Sequence, residues 1–192
     1  MYHQLAETVA QYSQQSTPCI VDLGTGPGLL SAALITVLPN AEIIGIDPSE
    51  KMLVLAERNV SSSQFTAKLG SSEHLPLRNS SVDIVVSRFS LSYWRDLQQS
   101  FTEIYRVLKH KGIVILECIN KECPQWRLSL IKLGMIAKRA GSRVITYHLE
   151  VYDYAYSSQE VIESLSTCGF SVLSEEGKQK GWRFCVIAQK HH

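Results

Sequence analysis

The sequence lacks a strong excess of charge and lacks any long apolar run, and both absences narrow what the chain can be. Lys and Arg number 19 against 18 Asp and Glu in 192 residues, a formal net charge of +1. A nearly neutral chain does not carry the basic surface of a general nucleic-acid binder. Apolar stretches such as residues 113–116 are far too short to cross a bilayer. We therefore expect no nucleic-acid partner and no membrane-spanning segment.

Cysteines are few, and their number is odd. The five include no Cys-x-x-Cys spacing, which argues against a disulfide framework and against a zinc site. The first residues have neither a basic start nor an apolar stretch, so we expect no signal peptide. These features favour a reduced, cytoplasmic protein without a bound metal. Residues 1–190 are predicted to form one domain, and His191 and His192 resemble the remnant of a purification tag.

The sequence does contain a regular alternation of short β-rich runs and helical stretches, which is typical of an α/β sheet covered by helices on both faces. The predicted strands are 19–23, 42–46, 65–69, 82–87, 113–118, 170–173 and 183–188. The predicted helices are 2–14, 29–38, 48–59, 97–109, 125–140 and 158–167. The last two strands are too close in sequence for a crossover connection, so we expect them to be antiparallel.

A glycine-rich segment, Asp22 to Gly28, follows the first predicted strand and precedes a helix. Glycine lets a ligand approach the backbone and permits a tight turn with positive φ, while the helix N-terminus offers free N–H groups. The spacing is Gly-x-Gly-x-Gly, whereas the dinucleotide fingerprint would require glycine at Leu29. The segment therefore departs from the nicotinamide-binding pattern. Taken alone, it could be only a turn.

An acidic residue, Asp47, stands at the end of the second predicted strand, 19 residues after Gly28. At this position a carboxylate can accept hydrogen bonds from ribose hydroxyls. The alternative is that Asp47 only caps the helix predicted to begin at Pro48. Because the loop and the acid fall on adjacent strands, we favour ribose binding.

Segments 22–28 and 45–49 together resemble class I S-adenosylmethionine-dependent methyltransferases, in particular the branch that includes ubiquinone and menaquinone C-methyltransferases. Segments 75–77, 81–87, 103–112 and 168–170 extend the resemblance over nearly the whole chain. It implies a Rossmann-like, doubly wound seven-stranded sheet in the order 3-2-1-4-5-7-6 with strand 7 antiparallel. It also implies S-adenosylmethionine as the cofactor and S-adenosylhomocysteine as the product.

The resemblance also implies roles for individual residues. Around the methionine part of the cofactor it places Asp22, Gly24, Thr25, Gly26 and Gly28. Asp47 would bind the ribose, with Pro48 and Met52 beside ribose or adenine, although Met52 could instead be a core residue. Relatives usually carry an Asp that binds the adenine amino group where this chain has Ser71, so adenine recognition could fall to Ser71, Ser72 or Glu73.

Residues after the fourth predicted strand would flank the reacting sulfur and the acceptor. By the family pattern we expect Arg88 at the cofactor, and Tyr93 and Trp94 at the substrate. Phe89 and Trp94 could instead pack against the next helix. In a tyrosine-rich stretch, His148 is the leading candidate for a base and Tyr147 for a substrate contact, although a surface or core histidine is the alternative.

Residues 126–143 form a basic amphipathic segment with five Lys or Arg and no Asp or Glu. Such a helix can lie on an anionic membrane or face an anionic substrate, or it can act as a lid over the cofactor. We favour the lid.

Methyl transfer from a sulfonium is an in-line displacement that mainly requires alignment of the reacting atoms. A dedicated base is therefore not needed. The sequence predicts a methyltransferase acting on a small-molecule acceptor. The alternatives are a catalytically silent S-adenosylmethionine-binding or partner module, suggested by Ser71, and a nicotinamide-dependent oxidoreductase, which the loop spacing disfavours.

Overall fold

The computed structural model describes residues 2–124, 126, 127, 129, 130, 154–177 and 181–191. Seven strands lie in this part of the chain: β1 (Cys19–Leu23), β2 (Glu42–Asp47), β3 (Phe65–Leu69), β4 (Val82–Arg88), β5 (Leu108–Ile119), β6 (Phe170–Glu176) and β7 (Arg183–Lys190). The α-helices with both ends in the described residues include α1 (Tyr2–Tyr12), α2 (Leu29–Val37), α3 (Glu50–Val60), α4 (Leu97–Val107) and α5 (Ser158–Thr167). A short 3₁₀ turn, Leu91–Tyr93, follows β4.

The strands form one sheet in the order β3-β2-β1-β4-β5-β7-β6. Strands β1 to β5 run parallel to one another, and β7 is antiparallel to both of its neighbours, β5 and β6. The predicted strand order and the antiparallel seventh strand are both confirmed. Because β1, β2 and β4 are parallel neighbours, the loops that follow them meet at one edge of the sheet, here called the carboxyl edge.

Apolar side chains cover both faces of the sheet. On one face, Leu5 of α1 and Leu34 of α2 pack on Ile20, Ile84 and neighbouring strand residues. On the other face, α4 and α5 cover the strand residues of opposite parity, and Phe101 of α4 is fully buried there. Since side chains alternate along a strand, this two-sided burial explains why the parallel strands read as nearly continuous apolar runs.

Several predicted boundaries are wrong by a few residues. Helix α4 ends at Val107, and β5 begins at Leu108, five residues earlier than predicted. Leu108 pairs with Val82 before the register shifts, so the expected turn at Lys111, which has φ of 61°, is an irregularity within a strand. Helix α3 begins at Glu50 instead of residue 48, and β6 continues to Glu176.

Within the described ranges no helix is long and apolar enough to cross a membrane. In the same ranges, no cluster of three or more His, Cys, Asp or Glu side chains could hold a metal ion. Most of the helix predicted at 125–140 lies outside the described residues.

Candidate functional site

The glycine segment forms the loop between β1 and α2, and the backbone requires its glycines. Gly24, Gly26 and Gly28 have φ of 75°, 54° and 79°, a region that side chains disfavour. The N–H groups of Gly24 and Thr25 both donate to the carbonyl of Ile46, at 2.8 and 3.0 Å. The loop is therefore attached to the end of β2, which brings it beside the predicted ribose-binding residue.

Space at the three glycines differs. A Cβ on Gly24 would lie 2.4 Å from Cβ of Ser90, and one on Gly28 would lie 2.8 Å from Cγ2 of Val60. A Cβ on Gly26 would meet no atom within 4 Å. Gly24 and Gly28 thus allow close packing of the loop on its own fold, whereas Gly26 faces open space at the carboxyl edge.

Asp22 lies beneath the loop. Its side chain is buried, and Oδ2 accepts hydrogen bonds from Oγ1 of Thr25 at 2.9 Å and Oγ of Ser31 at 2.6 Å. Burial raises the pKa of the Asp22 carboxyl from 3.8 to about 6, although these hydroxyls partly oppose the shift. Asp22 therefore holds the loop from below, and its predicted contact with the methionine part of the cofactor stays a prediction.

Asp47 joins the loop to the start of α3. Its Oδ2 accepts the N–H of Gly26 and its Oδ1 accepts the N–H of Ser49, each at 2.9 Å. The side chain is only 9% exposed. Asp47 does not cap α3, because the N-cap is Ser49 and Asp47 accepts the N–H of Ser49, which precedes the helix. Since each carboxylate oxygen can accept a further hydrogen bond, its contacts are compatible with ribose binding. The predicted proximity of loop and acid is confirmed.

The two residues predicted beside ribose or adenine are exposed. Pro48 lies before α3, and Met52 on α3 is 40% exposed. The alternative interpretation of Met52 as a core residue is therefore wrong, because the buried positions of α3 are Leu53 and Ala56.

The segment predicted to contact adenine follows β3. Gly70 donates its N–H to the carbonyl of Asp47 at 3.3 Å, so the segment begins beside the ribose-binding candidate. Ser71 pairs with His74 in an isolated bridge, and Ser72 is buried. These contacts keep Ser71 and Ser72 at the carboxyl edge, as the prediction requires.

Glu73 belongs to a different contact. Its Oε1 accepts the N–H of Arg95 at 2.7 Å, next to the start of α4. Burial by itself would raise the pKa of Glu73, but hydrogen bonds from its own backbone N–H, from Arg95 and from the Ser71 hydroxyl lower it. These bonds hold the carboxylate on the α4 side, and the predicted adenine contact of Glu73 stays a prediction.

Two α4 residues inside the family-like segment 103–112 hold the loop that continues from Ser72. Arg106 donates from Nη1 to the carbonyl of Leu77 at 2.9 Å and from Nη2 to that of Leu75 at 3.0 Å. Glu103 accepts the N–H of Leu75 at 2.9 Å and pairs with Arg106 at 2.7 Å. The ion pair on α4 thus holds residues 75–77, which follow the segment predicted to contact adenine.

The end of β4 also lies at the carboxyl edge, beside the glycine loop. Phe89 has φ of 56°, which is strained for a bulky side chain, and its N–H donates to the carbonyl of Glu117 at 2.8 Å. This sharp change of direction carries Ser90 to Gly24, where Oγ of Ser90 donates to the carbonyl of Leu23 at 3.2 Å. The β4 end and the glycine loop are therefore in direct contact.

Arg88, which we predicted to contact the cofactor, forms an ion pair with a carboxylate of the neighbouring strand. Its guanidinium is buried and donates from Nε to Oε2 of Glu117 at 2.5 Å. Glu117 also accepts Nη1 of Arg183 through its other oxygen. A contact of Arg88 with the cofactor stays a prediction, and the described partners of Arg88 are a carboxylate and aromatic rings.

The two aromatic candidates after β4 have different environments. Trp94 is buried against Phe101 of α4 in an edge-to-face arrangement, with ring centroids 5.8 Å apart. The alternative that Trp94 packs against the next helix is confirmed, and its predicted substrate contact stays a prediction. Tyr93 is 45% exposed, so its substrate contact stays a prediction.

The remaining candidates, Tyr147 and His148, lie outside the described residues, as does most of the basic segment 126–143. Sequence reasoning missed Glu117, Arg183 and Ser31. A signal was present for Glu117, because a carboxylate inside the apolar run 113–119 must find a buried partner. Its two partners lie 29 and 66 residues away, so spacing could not identify them.

Comparisons with known proteins agree with this geometry. A family model described as a methyltransferase domain matches residues 21–116. A demethylmenaquinone methyltransferase of Lactobacillus johnsonii is 33% identical over 184 residues, covering 88% of this chain and 69% of that protein. A malonyl-[acyl-carrier protein] O-methyltransferase of Bacillus cytotoxicus is 29% identical and covers 59% of this chain.

The chain is shorter than these relatives. It spans 54% of a second demethylmenaquinone methyltransferase, from Lactiplantibacillus plantarum, and 39% of the malonyl-[acyl-carrier protein] enzyme.

Solved structures show the same fold. A methyltransferase from Aquifex aeolicus has a TM-score of 0.73 at 18% identity, covering 95% of this chain and 87% of that one. One from Methanosarcina mazei has a TM-score of 0.73 at 22% identity, covering 96% and 97%. The loop spacing and the family model do not fit the nicotinamide-dependent alternative, whereas an acid at the end of β2 fits both. The chain belongs to the methyltransferase-domain family of class I S-adenosylmethionine-dependent methyltransferases.

Proposed function

We propose that this chain transfers a methyl group from S-adenosylmethionine to a small-molecule acceptor by in-line displacement. The observation that carries the proposal is the contact among four parts of the carboxyl edge. Asp47 binds the N–H of Gly26, Gly70 binds the carbonyl of Asp47, and Ser90 packs on Gly24. Direct contacts thus connect the glycine loop, Asp47, the segment after β3 and the end of β4.

The residues present fit the cofactor. A side chain at Gly26 would extend into open space, so this glycine leaves the loop backbone accessible to a ligand. The Asp47 carboxylate retains acceptor capacity beyond its two backbone bonds. Ser71 and Ser72 supply neutral polar groups where relatives use a carboxylate. In this proposal Asp47 holds the ribose, the serines hold adenine, and Pro48 and Met52 pack beside them.

Methyl transfer from an activated donor requires the protein mainly to align the reacting groups. The cofactor supplies a methyl group that is already activated as a sulfonium. The chain must then orient the acceptor, exclude water and keep the loop rigid. Asp22, Thr25 and Ser31 provide that rigidity through two buried hydrogen bonds to one carboxylate oxygen. His148 is proposed as a base only for acceptors that must lose a proton.

The names of the relatives guide the choice of acceptor. They include methyltransferases of demethylmenaquinone and of malonyl-[acyl-carrier protein]. We propose an acceptor of the first kind, an aromatic ring that carries oxygen substituents, because that relative matches 88% of this chain. A malonyl thioester is the second candidate.

The competing hypothesis is a silent S-adenosylmethionine-binding module. The feature that favours it is Ser71, because a hydroxyl binds the adenine amino group without the charge assistance of a carboxylate.

Transfer of radiolabelled methyl from S-adenosylmethionine decides between these functions. The purified protein would be incubated with reduced and oxidised demethylmenaquinone analogues and with a malonyl thioester, and extracted products would be counted. The transferase proposal expects label in one of these acceptors and none with the Asp47→Ala variant. Binding of the cofactor together with no label in any acceptor would favour the silent module.

A further inference from the structure

A buried charge cluster lies beyond the predicted cofactor residues at the carboxyl edge. It consists of Arg88 on β4, Glu117 on β5 and Arg183 on β7. Arg88 pairs in register with Glu117, and Glu117 pairs in register with Cys185, two residues after Arg183. Because side chains alternate along strands, all three residues point to the sheet face covered by α1, which also carries Val86, Ile115 and Ile187.

The cluster has more positive charge than its own carboxylate can neutralise. Glu117 accepts Nε of Arg88 through Oε2 and Nη1 of Arg183 through Oε1. The side chains of Arg88 and Glu117 are only 6% and 8% exposed. Among the described residues, two guanidinium groups therefore share one carboxylate, which leaves a net charge of +1 in a largely buried place. Uncompensated charge is costly at such a position.

Arg88 also has a donor without an acceptor. Within the described part of the chain, its Nη2 atom is buried and makes no hydrogen bond. The guanidinium carbon lies 4.3 Å from the ring centre of Tyr2 and 4.2 Å from that of Phe89. These rings favour a cation, but they cannot replace a hydrogen-bond acceptor for a buried N–H group.

A cavity adjoins the cluster. It has a volume of about 380 Å³ and lies between α1 and the adjoining ends of β5, β6 and β7. Glu117 and Arg183 line it directly, together with Gln4, Thr8 and Trp182. Glu176 also lines it but is exposed, so solvent screens its charge. The cavity is large enough for a small aromatic molecule.

The cavity is linked to the predicted cofactor site by the β4 end. Arg88, Phe89 and Ser90 are consecutive, and Ser90 packs against Gly24 of the glycine loop. A molecule in the cavity would therefore lie beside the ends of β5 and β7, next to the strand end that contacts the glycine loop.

We propose that Arg88, held by Glu117 and supported by Arg183, forms an oxyanion-binding subsite for the methyl acceptor. The ring of the acceptor occupies the cavity, where its anionic oxygen, either a carboxylate or a phenolate, accepts from Arg183 and is attracted by the buried positive charge of Arg88 beside Glu117. The assignment to an acceptor rests on the proposed function. The carboxylate of the cofactor has the same chemistry, so the experiment must separate these two sources.

A pair of matched probes tests the subsite without methyl transfer. Naphthalene-2-carboxylate and naphthalene-2-carboxamide have the same shape and differ in charge. Their affinities would be measured by calorimetry on the protein saturated with S-adenosylhomocysteine, using wild type, Arg88→Gln and, as control, Arg58→Gln on the exposed side of α3. The affinity for S-adenosylhomocysteine would be measured for each variant in the same way.

The proposal expects wild type and Arg58→Gln to bind the carboxylate at least about tenfold more tightly than the amide, as for a charge-assisted hydrogen bond. Arg88→Gln loses this preference and keeps its affinity for S-adenosylhomocysteine within about twofold. A wild type without preference, or an Arg88→Gln variant that retains it, would overturn the subsite. A tenfold loss of S-adenosylhomocysteine affinity in Arg88→Gln would also overturn it, by assigning the guanidinium to the cofactor carboxylate.

Two further measurements keep the outcomes separate. If Arg88→Gln does not fold, Arg183→Gln takes its place, since Arg183 is 31% exposed and lines the cavity. The same loss of preference is expected. If wild type does not bind S-adenosylhomocysteine, the proposed function fails, and the probe preference of the protein alone still decides whether an oxyanion site exists.

Discussion

At the carboxyl edge of the sheet, the end formed by β1 and β2 differs from the end formed by β4, β5 and β7 in how each holds its buried carboxylates. Asp22 and Asp47 accept hydrogen bonds from neutral groups, namely the hydroxyls of Thr25 and Ser31 and the N–H groups of Gly26 and Ser49. Glu117 is held by two guanidinium groups. One end therefore has unneutralised negative charge, and the other has an excess of positive charge.

The difference suits two kinds of ligand. Neutral donors leave the Asp47 carboxylate with capacity for the hydroxyls of a ribose. A cluster with net positive charge instead favours an anionic oxygen. The following predictions test this contrast, from the largest expected effect to the smallest.

Removing the carboxylate of Glu117, at the end with excess positive charge, should lower the stability of the protein more than the other changes below. In Glu117→Gln, two guanidinium groups lose a buried partner, and we expect the free energy of unfolding to fall by roughly 3–5 kcal/mol. Urea denaturation measures this loss. Glu176→Gln, on an exposed carboxylate of the same cavity, should change stability by less than about 0.5 kcal/mol. A loss below about 1 kcal/mol in Glu117→Gln would show that the two arginines do not depend on this carboxylate.

Asp22 should make the other end sensitive to pH. Its folded pKa of about 6 lies above its usual value of 3.8, so the stability it contributes is complete below 3.8 and is lost as the pH rises through about 6. Asp22→Asn removes this titration. The unfolding free energy of the variant relative to wild type should therefore rise between about pH 4 and pH 6, by an amount on the order of 3 kcal/mol.

Urea denaturation at several pH values measures the Asp22 effect. Glu57→Gln, on the exposed side of α3, is the control and should follow wild type at every pH. A pH-independent difference between Asp22→Asn and wild type would contradict the raised pKa.

The glycines of the loop should separate packing from backbone strain. Gly24→Ala places a Cβ against Ser90 and should cost roughly 1–3 kcal/mol from overpacking in addition to the strain of positive φ. Gly26→Ala faces open space and should cost only the backbone strain, about 1–2 kcal/mol. Thermal denaturation of both variants in the Ser90→Gly background is the measurement. Ser90→Gly should partly rescue Gly24→Ala and leave the cost of Gly26→Ala unchanged, whereas equal rescue of both would refute the steric explanation.

The same contrast explains how much the sequence could predict. The glycine loop and Asp47 could be predicted because each motif is local in the sequence and directly follows a strand. The strand order alone then brings them together. The positive end depends on contacts between Arg88, Glu117 and Arg183, which are far apart in sequence and carry no fixed spacing. Topology could be predicted there, but pairing of individual side chains could not.

Boundaries failed where tertiary contacts override local signals. The pair Lys111-Gly112 predicts a turn, yet pairing of Leu108 with Val82 extends β5 through it. The roles of Trp94 and Glu73 are ambiguous in the sequence for a related reason, since an aromatic ring or a carboxylate after a strand can face the site or the neighbouring helix equally well. In the structure Trp94 packs on Phe101 of α4, and Glu73 accepts the N–H of Arg95 just before α4.

The central claim is that the glycine loop and Asp47 bind the cofactor, and calorimetric titration with S-adenosylmethionine and S-adenosylhomocysteine tests it most directly. Wild type should bind both molecules, and the exposed-surface variant Glu57→Gln should bind each of them as tightly as wild type does. Asp47→Ala, checked by its melting curve to be folded, should bind them at least about tenfold more weakly, because it loses charge-assisted hydrogen bonds to the ribose. Absence of binding to wild type, or equal affinity in a folded Asp47→Ala variant, would contradict the account.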